Sequence, residues 1–111
     1  MSELDKLIQT LDVIIDTYEG SELSGATING MLKDISPVLY RLESIRAKVH
    51  DHYQREIKSL TDAGASAAKA QIEADVKYPQ MYQLRRVMQA AYKCQESMRT
   101  QISWIKHEMQ L

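Results

Sequence analysis

The side chains with chemical potential in this sequence are three histidines, one cysteine, scattered serines, and a run of cations interleaved with aromatic rings near the C-terminus. His50 and His52 stand two positions apart, which on a helix points them in different directions, whereas a paired metal site needs i and i+4. His107 stands alone near the C-terminus, where a partly charged imidazole faces the negative end of a helix dipole. No metal is expected. Cys94 has no histidine within a helical turn to activate it, and one cysteine supplies neither an internal disulfide nor a zinc or iron–sulfur ligand set. It reads as a small side chain at a helix interface. Ser36, Ser59, Ser66 and Ser103 lack the G-x-S-x-G context of an activated serine. Gly20, Gly25, Gly30 and Gly64 are scattered, without the lysine or the strand that a phosphate loop requires. No pair of polar groups is spaced to share a proton across one site, so no catalytic residue, cofactor or small-molecule substrate is expected.

The cations are more informative. Arg85, Arg86, Lys93, Arg99 and Lys106 would neutralise phosphates, while Tyr82, Tyr92 or Trp104 would stack on bases. A solvated helix face with ordinary aromatics has the same composition. Arg85, Arg86, Lys93, Arg99, Lys106 and Trp104 are therefore candidate contacts to single-stranded DNA, to be weighed against that plainer alternative. Met31, Met81, Met88, Met98 and Met109 would form either an adaptable binding groove or part of a helical core.

Helices must position these groups. The chain has 111 residues, no Phe and one Trp, and lacks the β-branched runs bounded by turn residues that signal strands. Leu4, Leu7, Ile8, Leu11, Ile14, Ile15 and Tyr18 recur at spacings of three and four behind Ser2 and Asp5, which read as a capping box with aspartate in the glutamate's place. This predicts a first helix over 2–18. Residues 19–36 read as a connector, EGSELSGA, followed by a short helix that Thr27 caps and Gly30 weakens. Ser36-Pro37 reads as an N-cap and N1 pair opening a hairpin arm over 37–62, with Asp51 and Arg55 pairing on its exposed side. Gly64 is the expected C′ residue at the hairpin tip, and a second arm runs over 66–111, kinked near Pro79. The fold class is all-α: a helical hairpin with a long C-terminal helix and a short N-terminal helix, in coiled-coil-like packing within a single domain.

Beyond Pro79, Met81, Leu84, Met88, Ala91, Gln95, Met98, Ile102, Ile105 and Met109 advance by alternating three- and four-residue steps across four heptads. The arm over 66–111 would be about 69 Å long against about 39 Å for 37–62, so its last ~20 residues lie beyond the first arm and need cover from elsewhere. The first helix and the short one after it are the available cover within the chain. Residues 1–36 carry a net charge of −5 and residues 77–111 one of +4, so charge would favour that contact. A chain this size buries only about two-thirds of its unfolded surface, and pairing with a second copy would shield the remainder. Met81, Leu84, Met88, Ala91, Met98, Ile102, Ile105 and Met109 are accordingly expected at a homo-oligomer interface. No run approaches the roughly 18 apolar residues of a membrane span, and MSELDKLIQT has no signal-peptide pattern, so the protein is expected to stay in the cytoplasm.

The layout of a short N-terminal helix, the connector from Leu23-Ser24 to Ile28, an alanine-rich hairpin tip and the ending Gln101-Ile102-Ser103-Trp104-Ile105-Lys106 resembles a class of small phage and prophage proteins. More distantly it is similar to phage recombination mediator proteins, helical hairpins that form rings and load recombinase onto single-stranded DNA. That resemblance implies a homo-oligomeric scaffold acting in DNA replication or recombination, with a protein partner and single-stranded DNA as ligands. The alternative is a small helical inhibitor or adaptor that captures one host protein without nucleic acid. The pI near 6.3 departs from the strong basicity of such mediators.

Overall fold

The computed structural model describes residues 2–20 and 22–109 as four helices: α1 (Glu3–Glu19), α2 (Gly25–Asp62), α3 (Ala67–Lys77) and α4 (Gln80–Met109). No strand occurs among the described residues, so the chain is all-α with a long C-terminal helix. Ser21 of the connector, and residues 110 and 111 of the expected second arm, lie outside the described residues.

The expected break at Ser36-Pro37 does not occur. α2 runs unbroken for 38 residues, and its N-cap is Ser24 rather than Thr27: the Ser24 hydroxyl accepts the Thr27 amide at 3.2 Å. Ile28, Met31, Ile35, Leu39 and Leu42 form one buried stripe straight across the proline, which sits on the exposed side. Burial of that stripe outweighs the lost backbone bond, since each large apolar side chain contributes about 1.5–3 kcal/mol. Ser36 caps nothing; its hydroxyl donates back to the Leu32 carbonyl at 2.9 Å, the i−4 pattern that accompanies bent helices.

The helix ends at a Schellman motif. The Ala65 amide donates to the Leu60 carbonyl, the Gly64 amide donates to the Thr61 carbonyl, and Gly64 takes φ +102°, which only glycine adopts without strain. Ser66 then caps α3 by accepting the Lys69 amide at 3.2 Å. At Pro79 the chain divides rather than kinks. Tyr78 leaves the helical region at φ −123° and ψ 64°, as residues before proline tend to, and α4 starts on the far side. Both sides of the break pack on α2, but through different side chains: α3 through Ala70 and Ala74, small enough for close approach, and α4 through Leu84 and Met88, with α1 as a further neighbour.

The molecule is therefore 66 × 30 × 20 Å and has two unlike ends. At one, α1, the first half of α2 and α4 form a three-helix unit. Leu11, Ile35, Leu39, Leu42, Leu84, Met88 and Ala91 make one buried cluster, and Ile28, Met31, Cys94 and Met98 make a second. The outer part of α4 is covered from within the chain by α1 and the start of α2: Ile14, Ile15, Tyr18 and Leu23 pack on the second cluster with Ile102 and Ile105. At the other end the second half of α2 and α3 form a two-helix arm.

The expected attraction between the acidic N-terminus and the basic C-terminus yields no ion pair between α1 and α4 among the described residues. Glu3 instead pairs with Arg41 of α2, and the α1–α4 contact is tied by the Tyr18 hydroxyl donating to Gln101 Oε1 at 2.8 Å. Asp51 and Arg55 pair on the exposed side of α2 at 3.1 Å.

Candidate nucleic-acid interface

The apolar stripe of α4 is spent inside its own chain. Leu84, Met88, Ala91 and Met98 are buried against α1 and α2, while Met81, Ile102 and Ile105 are half-buried. Only Met109 stands fully in the open. Of the eight residues expected at a homo-oligomer interface, four are thus enclosed within the chain by α1 and α2, which the sequence placed nearby without fixing how much they cover.

The polar chemistry of α4 collects on its outward side and on the adjoining flank. Arg85, Arg86, Lys93, Arg99 and Lys106 are all exposed, and none forms an ion pair among the described residues. The four ion pairs, Arg41–Glu3, Arg46–Glu43, Arg55–Asp51 and Lys77–Glu56, all use other cations. Tyr82, Arg86, Gln89, Lys93, Thr100, Trp104 and His107 follow one another by steps of three, four or seven, so they line the outward side of the helix. Arg85 borders a groove with Glu43 and Arg46 of α2; Arg99 follows two heptads on along the same flank, and Ile105, the neighbour of Lys106, lies against Gly25 at the start of α2.

Two aromatic rings on this side are held out in solvent, Tyr82 at 72% and Trp104 at 63% exposure. Trp104 stands as a ridge between two shallow grooves of about 470 and 460 Å³, one bordered by Arg99 and His107, the other by Glu96 and Gln101. Its ring meets that of His107 edge to face, with centroids 6.4 Å apart. Tyr92, a stacking candidate by sequence, is committed elsewhere: its hydroxyl donates to Glu43 Oε1 at 2.7 Å. That bond holds the Tyr92 hydroxyl above its ordinary pKa and the Glu43 carboxyl below its own, with Arg46 reinforcing the latter.

Cys94 is buried beneath α1, and burial pushes its thiol above the ordinary range, with Glu19 adding to the effect. A thiol so placed is a poor nucleophile. No group of three or more His, Cys, Asp or Glu is arranged to hold a metal ion among the described residues, and no helix is long and apolar enough to cross a membrane.

Thr100 and His107 were not singled out by their types as binding residues. The signal was available as the complement of the core stripe, since every position half a turn from Leu84, Met88, Ala91 and Met98 must face outward. A groove where α2, α3 and α4 meet was not legible in this way, because its walls join residues 50–54 of α2 to residues 71–85 across the hairpin tip. Comparisons with protein-family models, with curated proteins and with solved structures find no match to this chain.

Proposed function

We propose that this protein is a non-enzymatic helical accessory of DNA replication or recombination, of phage or mobile-element type, that binds single-stranded DNA along the outward face of α4. The observation that carries this reading is the set of five exposed α4 cations, on the outward side and its flank, that pair with no carboxylate among the described residues, beside two solvent-held rings, in a chain whose net charge is only −1. Unpaired cations release counterions when they meet phosphates, and exposed rings stack on bases of any sequence. Labelled single-stranded oligonucleotide titrated at low salt tests it. The expected result is binding that weakens steeply with salt and quenches Trp104 fluorescence. Arg86→Glu with Lys93→Glu is expected to abolish it, and absence of any binding by the unaltered protein overturns the reading.

Self-association belongs to the same proposal, with the outward face of α3 as its contact in place of the α4 stripe. Ile72 and Val76, one turn apart on that helix, are 64% and 77% exposed. Light scattering over a concentration series tests this part, and a monomer at the highest concentration overturns it. The same two residues favour a second reading, a small adaptor that captures one host protein without nucleic acid. Pull-down with and without nuclease separates the two, since only the adaptor keeps its partner after digestion.

A further inference from the structure

The groove at the junction of α2, α3 and α4 has a volume of about 530 Å³, within the ~300–1,000 Å³ range of small-molecule sites. Its walls include Tyr53 of α2, Asp75 of α3, Tyr78 and Pro79 of the helix break, and Tyr82 and Arg85 of α4. Three tyrosines, a carboxylate and a cation are an unusual lining for a gap left by imperfect packing. We propose that this groove is a subsite for one unstacked nucleobase carrying an exocyclic amino group, with the adjoining phosphate held by Arg85; it rests on the DNA-binding reading above and extends it from backbone contact to base contact.

The placement of each group supports this. Tyr82 opens the outward line of α4, so a strand lying on Lys93 and Arg86 reaches the groove at that end without turning away from the helix. Arg85 projects beside the same entrance, is exposed, and has no carboxylate within ion-pair distance among the described residues. Tyr78 is half-buried and fixed by the chain break, and a rigid ring loses little freedom when a base stacks on it.

Asp75 sets the base chemistry. The Tyr53 hydroxyl donates to its Oδ1 at 2.6 Å, which orients the carboxylate and leaves Oδ2 as an acceptor. That same bond holds the Tyr53 hydroxyl above its ordinary pKa, so it stays protonated and keeps donating. An ionised carboxylate only accepts hydrogen bonds, so the base must donate. Cytosine, adenine and guanine present an amino group on the pairing edge. Thymine presents one N–H between two carbonyl oxygens, and those oxygens face a carboxylate unfavourably.

The test uses the full chain and fluorescence anisotropy with three labelled single strands of equal length: cytosine-only, thymine-only and abasic. The expected order is cytosine tightest, then thymine, then abasic, with about 5- to 150-fold between the first and the last, the stacking contribution of one base. Asp75→Asn, checked for unchanged helicity by circular dichroism, is expected to erase the preference for cytosine over thymine while leaving abasic affinity as it was. Equal affinity for all three strands overturns the base subsite and leaves backbone binding standing. A cytosine preference that survives in Asp75→Asn also overturns it. No binding to any strand overturns the subsite and the DNA-binding reading together.

Discussion

The three-helix end and the two-helix arm share α2 but are built on different side chains. At the first, Leu11, Ile28, Ile35, Leu42, Leu84 and Met98 are fully enclosed; in the arm, only Ala70 and Ala74 are buried. Burial of a large aliphatic side chain contributes about 1.5–3 kcal/mol and a methyl group far less, so stability is concentrated where α1 supplies a third wall. The arm keeps its helices together by closeness instead of bulk. One long helix can thus hold a firm body and a thin extension, and the groove with mixed polar and aromatic walls lies where the two meet.

The sharpest way to break this comparison is to remove one buried side chain from each end. Leu84→Ala is expected to lower unfolding free energy by about 2–5 kcal/mol in urea denaturation, while Ala70→Gly lowers it by about 0.5–1 kcal/mol. Equal losses would mean that the arm carries as much of the fold as the body. Ala74→Leu tests closeness directly: a bulkier group on the seam should force α3 off α2 at a cost of about 1–3 kcal/mol, with loss of amide protection in hydrogen exchange confined to residues of the arm. Ser24→Ala removes the cap where α2 enters the three-helix end and should cost about 1 kcal/mol, read as a lower thermal midpoint. The smallest effect concerns pH. Glu43 is held below its ordinary pKa in the folded chain by the Tyr92 hydroxyl, so its contribution is present above the unfolded pKa and is lost as pH falls through the folded one. Tyr92→Phe should flatten the acid side of the stability curve by ~0.5 kcal/mol or less, because both groups remain partly solvated.

The two prolines show what was legible in the sequence. Pro37 was read as the start of an arm and Pro79 as a kink within one, and the chain breaks only at Pro79. Pro37 lies on the face of α2 turned away from Ile35, Leu39 and Leu42, so the helix keeps its apolar stripe and loses one bond on the wet side. At Pro79 the seam against α2 changes from alanines to leucine and methionine, so no single apolar stripe runs through the break to be preserved. Local spacing states where a helix has cause to end, whereas tertiary burial decides whether it does. Gly64 was readable because its role is set by backbone geometry alone. The heptad stripe of α4 was readable as a stripe, but its occupant was not, since Leu23, Ile14 and Tyr18 cover it from the opposite end of the chain. The cations of α4 were legible by type, and their freedom from carboxylates depends on where α1 finally lies.

Gln95 is buried in the seam between α2 and α4, and its side-chain amide donates to the Ser36 hydroxyl at 3.4 Å. The bond is long and contributes little by itself. Its effect appears when α4 slides one turn along α2, which would set Gln95 against Leu32 or Leu39 and strand a covered amide at about 1–3 kcal/mol. Leucines and methionines tolerate such sliding, because one aliphatic neighbour serves about as well as another. Correct alignment of the two longest helices is thus enforced less by the strength of the right pairing than by the penalty on the wrong ones.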